Sequence, residues 1–375
     1  MIKKTRTTIF FIFFFLFMIG GPSTILYSQG YRLNLNPEKG EKLITQTGGI
    51  FIKAAPRQAD IYINGKLEEK TDFLFGSVLI ENLLPGKYEV EVNKTGYQPW
   101  KKTLEIKEKE VTEGKSILLF PEEFNFNPLI EEIEDIWFTP EKNIIFKKAT
   151  TSEWILKFYD SKEETELLRE SDIYSKGAKL TNIIFSATSS DLILETEIAK
   201  KKRYFIFNPE ETPLSLTEIE SPNQIKEYTY NNYTFEKNGE ILSVKSPNSE
   251  SFEKIADSVK EIRISQDHKK LLYFTEHEIS IFFLSDSIVP KKNEGETMIL
   301  LRLSNSINDC WWIKSDHIIF STDNNIKITE IDNRDILNII NIIKTKNPEI
   351  LWNENEKKLY YLSENNLFIS DTLLP

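Results

Sequence analysis

Apolar and polar residues alternate one by one over many short stretches of this chain. Residues 88–93 read Tyr-Glu-Val-Glu-Val-Asn, so successive side chains point to an apolar and a polar face. This period of two is typical of a half-buried antiparallel strand. Ile61 and Ile63 repeat the pattern directly before Asn64-Gly65, a pair that tolerates positive φ and predicts a type I′ hairpin turn. The pattern predicts an all-β fold for this region.

Residues 48–120 are predicted to form one small β-sandwich of about six short strands. Pro85-Gly86 combines a fixed φ with a residue that tolerates positive φ, which predicts a type II turn. Gly96 precedes a further aromatic strand over residues 97–106. Helix-capping signals are missing from this stretch, so no helix is expected in it.

Four pieces of this stretch resemble the PEGA domain, a small β module of bacterial and archaeal envelope proteins. They are Gly-x-Ile-x-Ile-x-x-x-Pro from Gly48, Ile-Tyr-Ile-Asn-Gly-Lys from Ile61, Leu-Pro-Gly-Lys-Tyr from Leu84 and Lys-x-Gly-Tyr-x-Pro from Lys94. Leu-Pro-Gly-Lys stands where the family has Pro-Glu-Gly-Ala. The resemblance implies an extracytoplasmic accessory or interaction domain without catalysis.

The N-terminus carries a basic and then a strongly apolar segment. Lys3, Lys4 and Arg6 precede an apolar run over residues 9–19, which reaches about 19 residues when it is extended to Tyr27. The shorter run suits a cleaved signal peptide, the longer one a single transmembrane anchor, and a buried helix is a third alternative. We expect the anchor, with residues 1–8 cytoplasmic, 9–27 in the lipid bilayer, 28–47 as a linker and the bulk of the chain extracytoplasmic in a cell membrane.

From about residue 121 to 375, a unit of apolar strand, polar turn and apolar strand recurs. Its anchor positions, near residues 137, 185, 230, 264, 312 and 352, are on average about 43 residues apart, which is typical of four-stranded propeller blades. Six copies predict a β-propeller of about six blades, with five or seven left open. The pattern resembles TolB-like propellers more than WD-type ones, because Gly-His and Trp-Asp pairs are missing.

The last copy ends after its third strand, which would leave an open sheet edge. We therefore predict that residues 124–133, which precede the first copy, supply the missing outer strand. The ring of blades would then be closed by its two ends.

Composition excludes several classes of partner and site. The formal net charge of −11 argues against a nucleic-acid partner, since phosphates require a basic surface. Cys310 is the one cysteine, so the chain has no internal disulfide, and we expect its thiol to be buried.

The sequence offers no residues for a catalytic, cofactor or metal site, and none is predicted. His268, His277 and His317 are expected to be solvated turn residues without Ser or Asp partners, and zinc would need three or four clustered ligands. Asp323-Asn324-Asn325 is expected to be a hairpin turn rather than a calcium loop. Lys269-Lys270 and the basic run at 200–203 are interpreted as ordinary turn charges. Phosphate-loop and nucleophile-elbow motifs are also missing.

Aromatic residues leave two interpretations open, core or ligand platform. The repeat region contains Trp137, Trp154, Trp311, Trp312 and Trp352, and repeated placement of three of them favours an inter-blade core. Tyr97 and Trp100 of the β module are likewise expected to pack.

We expect a non-enzymatic, membrane-anchored envelope protein. Its PEGA-like module and propeller would bind a protein or a cell-wall glycan. An extracytoplasmic propeller hydrolase or lyase, or a ligand sensor, is the alternative.

Overall fold

The computed structural model describes residues 3–34, 43–139, 143–159, 163–173, 177–185, 190–211, 214–222 and 225–374. These residues form one α-helix, one short 3-10 helix and 33 β-strands. The chain divides into two compact units. The first contains residues up to Glu122 together with Asp332–Asn338, and the second contains Glu123–Ile331 and Ile339–Leu374.

The first unit begins with helix α1, Lys3–Ser28. Its segment Arg6–Ser28 has a mean hydropathy of 2.2, is not buried by the rest of the chain, and is long and apolar enough to cross a membrane as an anchor or a signal sequence. The helix continues through Pro22, and the hydroxyls of Ser23 and Thr24 donate to the carbonyls four residues earlier. The predicted apolar helix is therefore confirmed.

A two-stranded hairpin follows the helix within the predicted linker. It pairs β1, Tyr31–Leu33, with β2, Ile44–Gln46. The Arg32 guanidinium lies 3.5 Å from the ring centroid of Tyr27 and donates to the Tyr27 carbonyl at 2.7 Å. The end of the helix and the hairpin are thus held together.

The β module has seven strands rather than about six, arranged as two sheets. One sheet has the order β6-β3-β9 and the other β5-β4-β7-β8. The strands are β3 Gly48–Ala55, β4 Asp60–Ile63, β5 Lys66–Lys70, β6 Ser77–Leu83, β7 Gly86–Asn93, β8 Trp100–Ile106 and β9 Val111–Leu118. Alternate residues of the strands fill one core, which includes Ile52, Ile61, Val90, Trp100 and Leu104. Trp100 and Tyr97 pack as expected.

One of the two predicted turns is confirmed and the other is wrong. Asn64 and Gly65 have φ of 49° and 77°, as a type I′ turn requires. Gly86 has φ of 154° and is already the first residue of β7, opposite Ile106, so Pro85-Gly86 is not the predicted type II turn. Gly48 is required for space, since a Cβ there would lie 2.3 Å from the Lys107 carbonyl oxygen.

Asp332–Asn338 completes the first unit by covering the edge strand β8. The side chains of Asn338 and Asp335 accept hydrogen bonds from the backbone N–H groups of Lys101 and Thr103, at 3.4 Å and 2.7 Å. Lys102 is buried between them and donates through Nζ to the Asp332 carbonyl at 2.5 Å. Edge N–H groups of this sheet are therefore hydrogen-bonded within the chain.

The second unit consists of six antiparallel four-stranded sheets, each built from consecutive strands except the last. This is a six-bladed β-propeller in the described residues, which confirms the predicted fold. Blade 6 includes the early strand β10, Phe126–Glu131. Blade 1 consists of β11 Ile133–Phe138, β12 Ile144–Ala149, β13 Trp154–Tyr159 and β14 Glu164–Arg169, followed by the 3-10 helix Glu170–Asp172, and blade 2 consists of β15 Lys179–Phe185, β16 Leu192–Ile198, β17 Lys201–Phe207 and β18 Thr217–Ile219. Blade 3 consists of β19 Ile225–Tyr230, β20 Tyr233–Asn238, β21 Ile241–Lys245 and β22 Glu253–Ala256, and blade 4 consists of β23 Glu261–Ile264, β24 Lys270–Phe274, β25 Glu278–Phe283 and β26 Thr297–Arg302. Blade 5 consists of β27 Ile307–Lys314, β28 His317–Thr322, β29 Asn325–Glu330 and β30 Ile339–Lys344, and blade 6 consists of β31 Glu349–Asn353, β32 Lys358–Ser363 and β33 Asn366–Ser370, with β10 outermost.

The two ends of the repeat region close the propeller. Strand β10 pairs antiparallel with β33, from Phe126 opposite Ser370 to Glu131 opposite Asn366. The prediction that residues 124–133 supply the outer strand is confirmed. Blades 1 and 6 also share a hydrophobic cluster, in which Ile136 and Phe146 of blade 1 pack with Tyr360 and Leu367 of blade 6.

The cores of the second unit lie between neighbouring blades. One cluster joins blades 1 and 2 and contains Leu156 and Leu194, while another joins blades 3 and 4 and contains Phe235 and Phe282. Inner strands of blade 4 are buried on both faces, as in Lys270–Phe274, where every residue is buried. The inner strands β16 of blade 2 and β20 of blade 3 instead alternate between buried and more exposed residues.

Candidate functional site

An open groove lies on the closing blade of the propeller. Its volume is about 580 Å³. The groove, called the aromatic groove below, is lined by Phe124, Asn125, Phe126, Asn127, Ile343, Tyr361, Phe368 and Asp371. Ile343 comes from β30 of blade 5, and the other residues lie on or beside β10, β32 and β33 of blade 6. The groove thus exists only because the chain closes its ring with an N-terminal strand.

Strand register brings three rings of the groove together. Tyr361 lies directly opposite Phe368, and their rings stack with centroids 4.8 Å apart and planes 14° apart. Phe126 meets the Tyr361 ring edge-on, with centroids 5.1 Å apart and planes 80° apart. Both arrangements are favourable for aromatic pairs. Burial raises the pKa of Tyr361 to about 12, so its phenol stays neutral at physiological pH.

Polar groups surround these rings. Asn125, Asn127 and Asp371 are exposed, and the backbone N–H of Asp371 donates to the carbonyl of Asn125 at 3.2 Å. Pro128 follows on the outer strand β10 and lacks an N–H, as is usual for proline on a sheet edge. The groove therefore combines an aromatic floor, amide donors and acceptors, and one carboxylate.

A second cluster lies on the first strands of blades 4, 5 and 6. Arg263 Nη1 donates to Asp309 Oδ1 at 2.6 Å, and the guanidinium lies 3.7 Å from the ring centroid of Trp311. The Trp311 indole N–H donates to Asp309 Oδ2 at 2.7 Å and is 3.1 Å from the Ile350 carbonyl oxygen. Both carboxylate oxygens of Asp309 are thus engaged, and β23, β27 and β31 are linked by one charged network.

Carboxylates of three blades approach one another beside this network. Glu349 begins β31, and desolvation together with the charges of Asp135 and Asp309 raises its pKa. Asp135 forms an ion pair with the buried Lys147, which also contacts Glu134 at 3.2 Å. A raised carboxylate pKa among charged neighbours is a feature that functional sites share with structural ion-pair networks.

Two of the predicted solvated residues are buried instead. His268 and His277 lie exposed in or beside turns, as expected, but His317 is only 3% exposed at the start of β28, where burial lowers its pKa to about 4. The interpretation of His317 as a solvated turn residue is therefore wrong. Lys270 is also buried, with Nζ 3.0 Å from Asp267 and 3.3 Å from Asp316, so it is not an ordinary turn charge.

The expected buried thiol and hairpin turn are confirmed. Burial raises the pKa of the Cys310 thiol well above its usual value. The turn at Asp323-Asn324 joins β28 to β29 directly. In the described part of the chain, no group of three or more His, Cys, Asp or Glu residues is arranged to hold a metal ion.

The tryptophans divide between core and surface. Trp312 and Trp352 are 5% and 4% exposed, which confirms the core interpretation, and the Trp312 indole N–H donates to the Arg263 carbonyl at 3.0 Å. Trp154 is also buried, whereas Trp137 and Trp311 are half-buried. The aromatic groove was not predicted, because in the repeat region only the tryptophans were considered as a ligand platform. Phe124, Phe126, Tyr361 and Phe368 lie in the very segments predicted to pair, and that pairing is the signal that could have found it.

Comparison with known proteins identifies one part of the chain. Residues 47–117 match the PEGA domain. The PEGA domain corresponds to the two-sheet β module of the first unit, within one residue of its first strand, Gly48–Ala55. No curated protein matches the sequence.

Several solved structures resemble the chain at low identity. Hsv2 of Kluyveromyces lactis is 12% identical over 63% of this chain and 71% of its own, with a TM-score of 0.32. A putative phosphatase from Bacteroides thetaiotaomicron is 9% identical over 84% and 90%, with a TM-score of 0.42. The β-propeller domain of Swd1 from Myceliophteria thermophila is 12% identical over 76% and 92%, with a TM-score of 0.35. The sheet order, not these likenesses, defines the propeller of the second unit.

Proposed function

We propose that this chain is a non-enzymatic, membrane-anchored binding protein of the cell envelope. In this proposal α1 is a retained anchor, the PEGA domain is an extracytoplasmic spacer or wall contact, and the propeller presents a binding surface to a protein or a cell-wall glycan. The PEGA match supports the extracytoplasmic placement of the module. The exposed apolar helix supports the anchor.

The aromatic groove is the observation that carries the proposal. Aromatic residues are enriched at the centres of interfaces, and polar residues form their rims. The groove has this composition, with Phe126, Tyr361 and Phe368 surrounded by Asn127 and Asp371. Tyr361 is buried and Phe126 and Phe368 are half-buried, so the surface that the groove offers to a partner consists of the outer parts of these two rings and of the exposed Asn125, Asn127 and Asp371.

Site-specific photocrosslinking in cells that produce the full chain tests the binding function. Asn127 is replaced by a photoreactive benzoyl-phenylalanine, and exposed Glu250 in the turn between β21 and β22 is replaced in the same way as a control. We expect a discrete adduct from position 127 that is absent at position 250 and is lost when Phe368→Ala is added. Equal adducts at both positions, or none at either, would contradict a specific binding surface.

The anchor has its own test. Membranes from the same cells are washed with alkaline carbonate, and the mass of the protein is measured. A retained anchor leaves the chain in the membrane at its full mass of 43.8 kDa. Release into the wash with loss of the N-terminal residues would show that α1 is a cleaved signal.

An extracytoplasmic hydrolase or lyase is the second candidate, favoured by the carboxylates of the first strands. Glu349 has a raised pKa and lies near Asp135 and Asp309, which is an arrangement that acid-base chemistry can use. The full chain and its Glu349→Gln variant are assayed with chromogenic ester and glycoside substrates. Turnover that disappears in the variant would favour the enzyme, and absence of turnover in both leaves the binding function preferred.

A further inference from the structure

The hairpin of β1 and β2 is attached to the PEGA domain by one of its two faces. Successive side chains of a strand point to opposite faces, and the register places Arg32 opposite Thr45 on the same face. Arg32 Nη2 donates to Asn82 Oδ1 at 2.7 Å, and the hydroxyl of the buried Thr45 donates to Glu108 Oε1 at 2.5 Å. This face of the hairpin is therefore fixed to the domain.

The other face of the hairpin, called the open face below, is apolar. Leu33 and Ile44 lie directly opposite each other on it and are 66% and 54% exposed. Leu43, which precedes β2, is 65% exposed. The described part of the chain leaves these aliphatic side chains uncovered, although contact with water is unfavourable for them. The open face is therefore suited to an apolar partner.

Helix α1 determines what lies next to the open face, and the inference drawn from it rests on the proposed function, in which α1 is a retained anchor. The apolar segment Arg6–Ser28 has 23 residues. At 1.5 Å per residue it is about 35 Å long, slightly more than the hydrocarbon core of about 30 Å. Tyr27 in its last turn is 64% exposed, as is typical of tyrosine among the lipid headgroups. The helix thus ends at the level of the headgroups.

Both strands of the hairpin are held at this level. In β1, Arg32 donates to the Tyr27 carbonyl at 2.7 Å and lies 3.5 Å from the Tyr27 ring centroid. Directly after β2, the backbone N–H of Thr47 donates to the carbonyl of Gly30, which follows α1, at 2.9 Å. The apolar phase next to the open face is therefore the bilayer that α1 crosses.

The backbone of the hairpin limits how deeply it can enter the bilayer. It is a separate two-stranded sheet in the described residues, and hydrocarbon does not tolerate open sheet edges. The boundary between headgroups and acyl chains accepts polar backbone together with apolar side chains. We propose that Leu33 and Ile44 insert into this boundary, so that the hairpin holds the PEGA domain at the membrane surface.

A loop at the other end of strand β6 provides a matched control. Leu74 is 64% exposed, so it has the residue type and the exposure of Leu33. It lies shortly before Ser77, the first residue of β6, whereas Asn82, which binds Arg32, lies near the end of that strand. These two positions on β6 are about 17 Å apart at the rise of an extended strand. Leu74 is therefore distant from the hairpin.

Fluorescence quenching with the full chain in phosphatidylcholine vesicles tests the proposal. Leu33→Cys, Ile44→Cys and Leu74→Cys are each labelled with the fluorophore NBD, and the parent, whose Cys310 is buried, gives the labelling background. The quencher is a lipid that carries a nitroxide near the top of its acyl chain. We expect at least about 3-fold stronger quenching at positions 33 and 44 than at position 74, since interfacial side chains reach about 5–10 Å into the boundary.

Substitutions connect the quenching with the open face. Leu33→Asp places a charge on this face and should weaken quenching of the Ile44→Cys label at least about 2-fold, because interfacial binding depends on the apolar area that is buried. Leu74→Asp makes the same change in the control loop and should leave the quenching at position 44 unchanged. Both leucines are exposed, so neither variant loses a buried contact and both fold like the parent.

Several results would overturn the proposal. They are equal quenching at positions 33, 44 and 74, stronger quenching at position 74, or quenching at position 44 that does not respond to Leu33→Asp. Blue-shifted emission at position 44 without quenching by the nitroxide lipid would show that a protein, such as a second copy of the chain, covers the open face instead.

The carbonate wash and the mass measurement distinguish failure of this proposal from failure of the anchor. A chain that keeps its full mass in the membrane, but shows no difference in quenching between positions 33 and 74, loses the hairpin contact alone. A chain that is released without its N-terminal residues loses both the anchor and the hairpin contact.

Discussion

His317 makes the stability of the propeller depend on pH. The side chain is 3% exposed at the start of β28, and desolvation is the main reason that its pKa is lowered from 6.5 to about 4. Lys314 lowers it further, whereas Asp316 acts in the opposite direction. Glu330 lies opposite His317 in the strand register. In the folded protein the His317 imidazole therefore stays neutral down to about pH 4, whereas in the unfolded chain it takes up a proton below about pH 6.5.

The sign and size of the effect follow from linkage. Stability that depends on neutral His317 is fully present above about pH 6.5 and is lost as the pH falls towards 4. Each unit of difference between the folded and the unfolded pKa corresponds to about 1.4 kcal/mol in the free energy of unfolding. Protonation of His317 can therefore lower the free energy of unfolding by at most about 3 kcal/mol. Between pH 8 and pH 5 we expect a loss of about 2 kcal/mol in the free energy of unfolding.

Urea unfolding followed by tryptophan fluorescence measures this loss. Five of the six tryptophans lie in the second unit, so the signal reports mainly on the propeller. His317→Gln keeps a polar side chain without the titration, and we expect its unfolding free energy to fall by about 2 kcal/mol less than that of the parent between pH 8 and pH 5. The exposed His277→Gln is the matched control and should behave like the parent. Identical pH dependence in the parent and His317→Gln would refute the reasoning.

Three further predictions concern the core tryptophans, the Asp72 turn and the thiol. The Trp312 indole N–H donates to the Arg263 carbonyl, whereas the buried Trp352 indole N–H has no hydrogen-bond partner among the described residues. Trp312→Phe should therefore lower the free energy of unfolding, measured in urea, by about 1–2 kcal/mol more than Trp352→Phe does. Equal losses in the two variants would contradict this. The Asp72 carboxylate accepts hydrogen bonds from the backbone N–H groups of Leu74, Phe75 and Ser77, and these bonds lower its pKa to about 2. Asp72→Ala should therefore speed hydrogen exchange at these three amides, as measured by mass spectrometry at pH 7. Unchanged exchange would show that the turn does not need the carboxylate. The Cys310 thiol is buried with a raised pKa, so a thiol reagent should label the protein only as fast as it unfolds, and rapid labelling of the native chain would contradict its burial.

The strands of this protein could be predicted because their information is local. Alternation in residues 88–93 and around Ile61 specifies which face of each strand is buried, and β7 and β4 follow it. Closure of the propeller could also be predicted, since the last copy ended one strand short and a sheet edge needs a partner. Both predictions rest on apolar residues, and the spacing of apolar residues along the chain indicates which of them are buried.

The aromatic groove depended on more than local pattern. Phe126 and Tyr361 are far apart in the chain, and their rings meet only because β10 pairs with β33 in one particular register. A shift of that register by one residue would turn Phe126 to the other face of blade 6. Prediction of the pairing without its register could therefore identify the blade but not the groove.

Polar residues in loops were predicted least well, and the reason is physical. His317 and Lys270 stand beside turns and their neighbours are charged, so local polarity favoured solvent, yet both are buried. Asp335 and Asn338 also lie in a polar segment, and they hydrogen-bond to the backbone of β8. The burial of an apolar residue follows from its own aversion to water, but a polar residue is buried only where a partner or its own neutral form compensates the loss of water. Lys270 has one such partner nearby in the sequence, Asp267, and a second one, Asp316, in a distant part of the chain. The periodicity of apolar residues indicates neither partner.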